Sequence, residues 1–357
     1  MRIVITISQI SPGGGLTKYV CTLADILTKE GENEIWVITT HKSEPNPEFE
    51  KLKEERGIHY ISLSDSSKYS RYFKMAKVIR RIKPDVVIGN YNGPTQYVLP
   101  LLGRKVKKVH IIHNDTPDFY RLAAINGRHT DLWIVPTPAI ADNFNSFTKG
   151  KYSERVKVIP HAVDEAGKVA EKRNSVAQLT YVGALSTHKG VQRIPEILKG
   201  LRNRGKEFHF TFIGEGFYRE RLDAELTEEI KEGLVEFTGR VPAEEVYRRL
   251  ADTDIFVYPS YYDSFGLVIA EAMTNGAVPV VSNLRGIFDT IVDEGVNGFL
   301  PETGDVEGFV ERIEYLIDNP EIRKRMGAAA REKVHRSFTK DIMRRNYLEA
   351  LNDLWKK

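Results

Sequence analysis

The chain has 357 residues, 41% of them hydrophobic and 28% charged, with a net charge of +3 and a single cysteine. That composition excludes wholesale disorder, and the length favours two α/β cores over one. The charge is divided unevenly, with 24 basic against 16 acidic side chains in residues 1–160 and 28 against 33 in the remainder, so the first half suits an anionic partner.

The N-terminal run RIVITIS reads as a strand. With no basic-plus-apolar leader before it and no apolar stretch near 18 residues, neither a secretion signal nor a membrane span is expected. Ser11, Pro12, Gly13, Gly14 and Gly15 follow, and a helix is expected from near Leu16. The bare amides of Gly14 and Gly15 would then stand at a helix N-terminus, an arrangement suited to an oxyanion. The spacing is not the dinucleotide fingerprint, whose third glycine would fall at Lys18, nor a P-loop, and a tight strand-to-helix turn is an equal alternative. Cys21 lies in the apolar run of that helix and cannot close an internal disulfide, so a reducing, cytoplasmic setting is expected.

The runs EIWVITT, HYISL, DVVIGN, KVHIIH, LWIVPT and VKVIPH continue the pattern, separated by segments of helical period. Alternation of this kind predicts a parallel sheet covered by helices on both faces. Residues 67–84, SKYSRYFKMAKVIRRIKP, carry Lys68, Arg71, Lys74, Lys77, Arg80, Arg81 and Lys83 and no acid. Their apolar members, Tyr72, Phe73, Ala76, Val78, Ile79 and Ile82, leave room for a buried stripe beside a basic face. Arg104, Lys105, Lys107 and Lys108 form a second basic cluster. Nucleic acid is not the expected partner, because zinc-finger, RNP and basic helix-turn-helix patterns are missing. His110 and His113 stand three apart in a strand and face opposite sides, which argues against a shared metal.

A polar stretch at residues 164–178 interrupts the pattern and reads as a hinge, after which strand-like runs restart with LTYVGAL, FHFTFIG, VEFTG, IFVYPS, AVPVVS and GFLPE. The expected organisation is residues 1–165, residues 166–339, and a terminal amphipathic helix at 340–357. That helix carries Ile342, Tyr347, Leu348, Leu351 and Leu354 and is expected to pack back toward the first domain. Asp252 and Asp254 precede a strand and read as a helix-to-strand turn, and Glu215 as a turn residue.

The most specific segment runs from Ser260 through Asp263, Phe265, Gly266 and Leu267 to Glu271, and stops at Asn275-Gly276. It follows a strand and starts a helix near Phe265, so the amides of Phe265, Gly266 and Leu267 are expected to face a diphosphate beyond the strand end. Glu271 lies six residues on, about 9 Å along the helix, the reach from a phosphate to its ribose. Taken alone, Glu271 reads as an ordinary exposed helix glutamate.

Together with Tyr181-Val-Gly-Ala-Leu-Ser-Thr-His-Lys189-Gly190, Phe212-Ile-Gly-Glu-Gly216, Val235-Glu-Phe-Thr-Gly239, Gly276-Ala-Val-Pro-Val and Gly298-Phe-Leu, this segment resembles glycosyltransferase family 4 in collinear order over nearly the whole chain. The resemblance implies a GT-B fold, two Rossmann-like α/β domains whose parallel sheets face a central cleft. It implies a retaining transfer of a hexosyl unit from a nucleoside diphosphate sugar to a carbohydrate or glycolipid acceptor, without a metal or cofactor, in cell-envelope polysaccharide or glycolipid synthesis. By the same resemblance Lys189 contacts the diphosphate, Glu271 the ribose, Asp263 and His113 the transferred sugar, and Arg240 and Val241 border the base. Family members that act on lipid-linked or envelope acceptors often dock on anionic membranes through this domain, so the two basic clusters are expected to meet the inner face of such a membrane, a solvated helix being the alternative. Two positions depart from the family: Asp263 stands where glutamate is usual, and Ala184 where an arginine is common, which leaves Lys189 as the main cation, with His188 beside it. An epimerase or an inverting transferase on the same architecture, and a non-catalytic carbohydrate- or nucleotide-binding protein, are the competing readings.

Overall fold

The short apolar runs of the first half pair side by side in one direction. β1 (Arg2–Ile7), β2 (Glu34–Thr39), β3 (His59–Ser62), β4 (Val86–Asn90), β5 (Lys107–Ile111), β6 (Leu132–Val135) and β7 (Val156–Val158) form a parallel sheet in the order β3-β2-β1-β4-β5-β6-β7. β1, β4 and β6 are almost wholly buried, as expected of parallel strands covered on both faces. Ile3, Ile5 and Ile7 point to one face, where they pack with the helices Gly15–Thr28 and Lys340–Asp353, while Val4 points to the other, against the helix Lys68–Ile82. This is a computed structural model, and it describes residues 1–11, 15–64, 67–165 and 176–356. The Gly13 and Gly14 positions of the glycine loop, and the boundary expected between residues 165 and 166, lie outside the described residues.

β8 (Ala177–Val182), β9 (Phe208–Ile213), β10 (Val235–Phe237), β11 (Ile255–Tyr258) and β12 (Val278–Val281) form a second parallel sheet, ordered β10-β9-β8-β11-β12. Phe208, Phe210, Phe212, Phe256 and Tyr181 fill its core. The chain thus divides into one unit of Met1–Ala162 with Lys340–Lys357, and another of Val163–Thr339. In the last helix Met343, Tyr347, Ala350 and Leu351 are buried in the first unit's core, each large apolar side chain contributing about 2 kcal/mol. The Tyr347 hydroxyl bonds to that of Tyr19. Ile342 falls outside this stripe, and Met343 takes its place.

In each sheet the strand order reverses beside its first strand, between β1 and β4 and between β8 and β11. Such reversals splay the connections above and below the sheet and leave a crevice at the carboxyl ends of the strands. Among the described candidate site residues, Gly15, His113, Lys189, Asp263 and Gly266 follow the carboxyl ends of strands in the two sheets.

Candidate functional site

In the second unit the connection leaving β8 bends back onto the end of β11. Gly190 makes this possible: its φ is +73°, and a Cβ there would fall 1.7 Å from the Pro259 carbonyl oxygen. Close approach lets the Tyr261 amide donate to the His188 carbonyl at 3.0 Å and sets Lys189 over the segment that follows β11. The Lys189 ammonium donates to Asp263 Oδ2 at 2.8 Å and to the Tyr262 carbonyl at 3.3 Å. The Tyr258 hydroxyl, at the end of β11, donates to the same Oδ2 at 3.0 Å. Asp263 Oδ1 accepts from the amides of Ser264 at 2.7 Å and Phe265 at 3.4 Å. All four acceptor positions of this carboxylate are therefore occupied by the protein itself.

Only 18% of the Lys189 side chain and 16% of the Asp263 side chain are exposed. Burial pushes the Asp263 carboxyl upward, but the Lys189 charge, the Ser264 amide and the Tyr258 hydroxyl together hold it below its ordinary value. Burial and the adjoining Asp263 charge push the Tyr258 hydroxyl far up, so it remains a donor. His188 is exposed, and partial burial and the Lys189 charge lower its pKa against the opposing pull of Asp263.

The helix expected from near Phe265 begins at Leu267 and runs to Thr274, with Gly266 at its N-cap and φ +92°. Phe265 is consequently not a free amide, because Asp263 accepts its N–H; the amides of Gly266 and Leu267 have no hydrogen-bond partner among the described residues. Glu271, on the same helix, is buried at 9% exposure, contrary to the exposed-glutamate reading, and its Oε1 accepts from the Tyr247 hydroxyl at 3.2 Å. Lys189, Asp263, Gly266 and Leu267 are thus brought together at the end of β11, with Glu271 further along the helix that Leu267 opens. Arg240 and Val241 are not part of that group; they follow β10, at the edge of the sheet, with Arg240 exposed. The β10 connection still abuts those of its neighbours, through Gly214 N–H to the Gly239 carbonyl and Gly183 N–H to the Ile213 carbonyl, both 3.0 Å. Ala184 is exposed on the same rim. Asp254 lies at the other end of β11, where it accepts from the Gln178 amide at 2.9 Å.

Tyr258 and Tyr247 were not singled out from the sequence. Tyr258 carried a signal, since it is the last residue of a buried strand and its ring must end near whatever lies at the sheet edge. Tyr247 carried none, being one aromatic in the charged helix Ala243–Asp252.

In the first unit His113 follows β5, and its Nε2 lies 2.9 Å from Asn90 Oδ1 at the end of β4. Its ring meets Tyr19 edge-on at 4.6 Å and stacks against His161 at 5.9 Å. Burial, reinforced by the neighbouring His161 and His110, holds its pKa well below the ordinary value, so the ring is neutral at pH 7. His110 bonds to Gln96 and has its pKa pushed down to about 3 by burial. Gly15 opens the first helix, and a Cβ there would meet open space. Cys21 is buried, and burial with the Glu48 charge pushes its thiol up to about 12.

The basic helix Lys68–Ile82 differs from expectation at two points. Phe73, assigned to the buried stripe, is 75% exposed among Lys74, Lys77, Arg80 and Arg81, and Met75 fills the core position. Lys108, counted in the second basic cluster, is buried, with its ammonium donating to the carbonyls of Gly103 and Val106. The Lys68 side chain lies outside the described residues. Among those residues no helix is long and apolar enough to cross a membrane.

Residues 163–333 match the family described as glycosyl transferases group 1, and residues 13–166 match glycosyltransferase family 4. The sulfoquinovosyl transferase SQD2 of Arabidopsis thaliana is 27% identical over 92% of this chain and 69% of its own length. The lipopolysaccharide core biosynthesis glycosyltransferase LpsE of Rhizobium meliloti is 23% identical over 97% of this chain and 98% of its own. Other relatives are longer, and the chain spans about half the length of the glycogen synthases it matches. Among solved structures, Anabaena HepE in complex with UDP superposes with a TM-score of 0.82 at 19% identity, covering 99% of this chain and 100% of that one.

Proposed function

Because the chain belongs to the GT-B glycosyltransferases of the group 1 and family 4 type and is a nucleotide-sugar glycosyltransferase, we propose that it transfers a hexosyl unit with retention to an acceptor hydroxyl in polysaccharide or glycolipid synthesis, the donor diphosphate being bound by its second unit. The observation that carries this reading is the Lys189–Asp263–Tyr258 network beside the unpartnered amides of Gly266 and Leu267. Departure of a nucleoside diphosphate builds negative charge on its β-phosphate. A fixed ammonium and two helix-terminal amides answer that charge with little reorganisation and without a metal.

Asp263 is assigned a different task from the sugar contact that the resemblance implies. With every acceptor position filled, it acts as a positioning residue that holds Lys189 over the helix terminus. Glu271, further along the helix, is assigned to the ribose hydroxyls, oriented by Tyr247. In the first unit, His113 is assigned to the transferred sugar. As no residue among those described stands out as a covalent nucleophile, a same-face substitution, with the departing phosphate helping to deprotonate the acceptor, fits this arrangement.

The exposed Phe73 among basic residues supports a peripheral stance on an anionic membrane, the aromatic ring entering the interface while each nearby cation adds about 1 kcal/mol. The test of the reaction is product NMR after incubation with nucleoside diphosphate sugars and candidate acceptors. An α-linked product from an α-donor is expected. A β-linked product would make the enzyme inverting, and an epimerised donor in the absence of acceptor would make it an epimerase.

A further inference from the structure

The carboxyl edge of the first sheet carries a feature that the donor chemistry leaves unused. Tyr91, next after β4, stacks face to face on Phe119 of the helix Pro117–Ala124, with centroids 4.0 Å apart and planes 17° from parallel. Tyr91 is 36% exposed, and Phe119 is half-buried against the core formed by Ile112, Tyr120 and Trp133. The ring pair is therefore anchored beneath and open above. Tyr91 reaches this position in the left-handed region, at φ +40°, a conformation that costs a bulky residue about 1 kcal/mol or more. The Ser8 hydroxyl, at the end of β1, donates to its carbonyl at 2.8 Å and helps fix it.

The preceding residue, Asn90, is wholly buried and bonds to His113 through Oδ1, while its Nδ2 has no partner among the described residues. A buried amide donor left open is costly unless something accepts from it. An anchored aromatic face therefore follows directly, at the end of β4, on the residue that holds the His113 imidazole, beside the switch point between β1 and β4. A pyranose matches this combination: its axial C–H face covers an aromatic ring, and its hydroxyls accept and donate at the rim.

We infer that the Tyr91–Phe119 pair is a saccharide-stacking platform, and that the acceptor presents a pyranose ring to this chain rather than a lone lipid or polyol hydroxyl. The inference rests on the glycosyltransferase reading for the word acceptor but not for the binding itself. Saturation-transfer NMR on the full chain tests it, with UDP present and a panel of methyl α- and β-pyranosides of glucose, galactose and their 2-acetamido forms, against glycerol. The wild type is expected to pass saturation to the C–H protons of one pyranoside face and not to glycerol. Tyr91→Phe keeps the signal; Phe119→Ala and Tyr91→Asn reduce it by about fivefold or more. The asparagine suits the left-handed backbone, so its effect is not one of folding. A signal unchanged in both ring deletions, or no pyranoside signal in the wild type, would overturn the platform. Nucleotide binding is read in the same samples. A chain that stacks pyranosides but binds no nucleoside diphosphate keeps the platform and loses the proposed function, whereas one that binds nucleotide and stacks no pyranoside loses the platform alone.

Discussion

Replacing Lys189 by methionine preserves most of the side-chain volume and removes the ammonium, leaving the Asp263 carboxylate, 16% exposed, without its counter-charge. Two unit charges 2.8 Å apart attract by about 6 kcal/mol at an effective dielectric of 20, but much of that offsets desolvation. Deleting one partner of a buried pair costs about 3 kcal/mol or more, because the other is left charged in a poor solvent. The sign of the pH dependence follows from the same groups. In the wild type the Asp263 pKa lies below its unfolded value, so its contribution is present above that value and is lost as pH falls through the folded pKa. Lys189→Met removes the largest lowering influences and leaves burial opposed only by the Ser264 amide and the Tyr258 hydroxyl, so that pKa rises and the deficit relative to wild type should grow from pH 4 to pH 7. Urea unfolding at a series of pH values measures this. The double variant Lys189→Met with Asp263→Asn removes both charges and should recover more than half of the loss. A single-variant deficit below about 1 kcal/mol that does not change with pH would refute the argument that the pair is buried and coupled.

Glu271→Gln should weaken nucleoside diphosphate binding by about tenfold, or 1.4 kcal/mol, in calorimetric titration, and an unchanged affinity in a folded variant would remove Glu271 from the ribose site. His113→Ala should lower turnover more than nucleotide affinity. Because His113 is neutral in the fold and has its pKa depressed, its own titration should produce no inflection in activity between pH 6 and 8, while stability falls as the pH drops below about 6.5, where the unfolded chain takes up the proton. In vesicle sedimentation the wild type should bind anionic but not neutral vesicles, less so at high salt; changing Arg71, Lys74, Arg80 and Arg81 to glutamate should abolish binding, and Phe73→Ser should weaken it. Equal sedimentation of wild type and the charge-reversed variant would show that this face does not bind lipid.

Much of the architecture could be read from local patterns. Runs such as DVVIGN and LWIVPT are too short for helices and too apolar for half-exposed strands, so buried parallel strands were the physical solution, and β4 and β6 are that. The segment around Asp263 was legible as a strand end followed by a helix, but its details were not. Asp263 caps the amides of Ser264 and Phe265, which delays the helix to Leu267, and this depends on a side-chain geometry set by Lys189 some seventy residues away in sequence. Tyr247 approaches Glu271 only because two helices pack together, and nothing in either segment encodes that meeting. Helical periodicity placed Phe73, and charge counting placed Lys108, without regard to burial, for a related reason. Phe73 lies at the edge of its stripe, where Met75 supplies the buried contact, and Lys108 is a strand residue whose ammonium is satisfied by two carbonyls of the preceding loop.

The central claim is that the end of β11 in the second unit binds the donor diphosphate through Lys189 and the Gly266 and Leu267 amides. Equilibrium titration of a panel of nucleoside diphosphate sugars, beginning with UDP-glucose, into wild type and into the charge-neutral Lys189→Met, Asp263→Asn variant measures it most directly. The account predicts that wild type binds at least one donor and its nucleoside diphosphate, and that the folded double variant binds both about tenfold more weakly or worse. A wild type that binds no member of the panel, or a double variant with unchanged affinity, would contradict it.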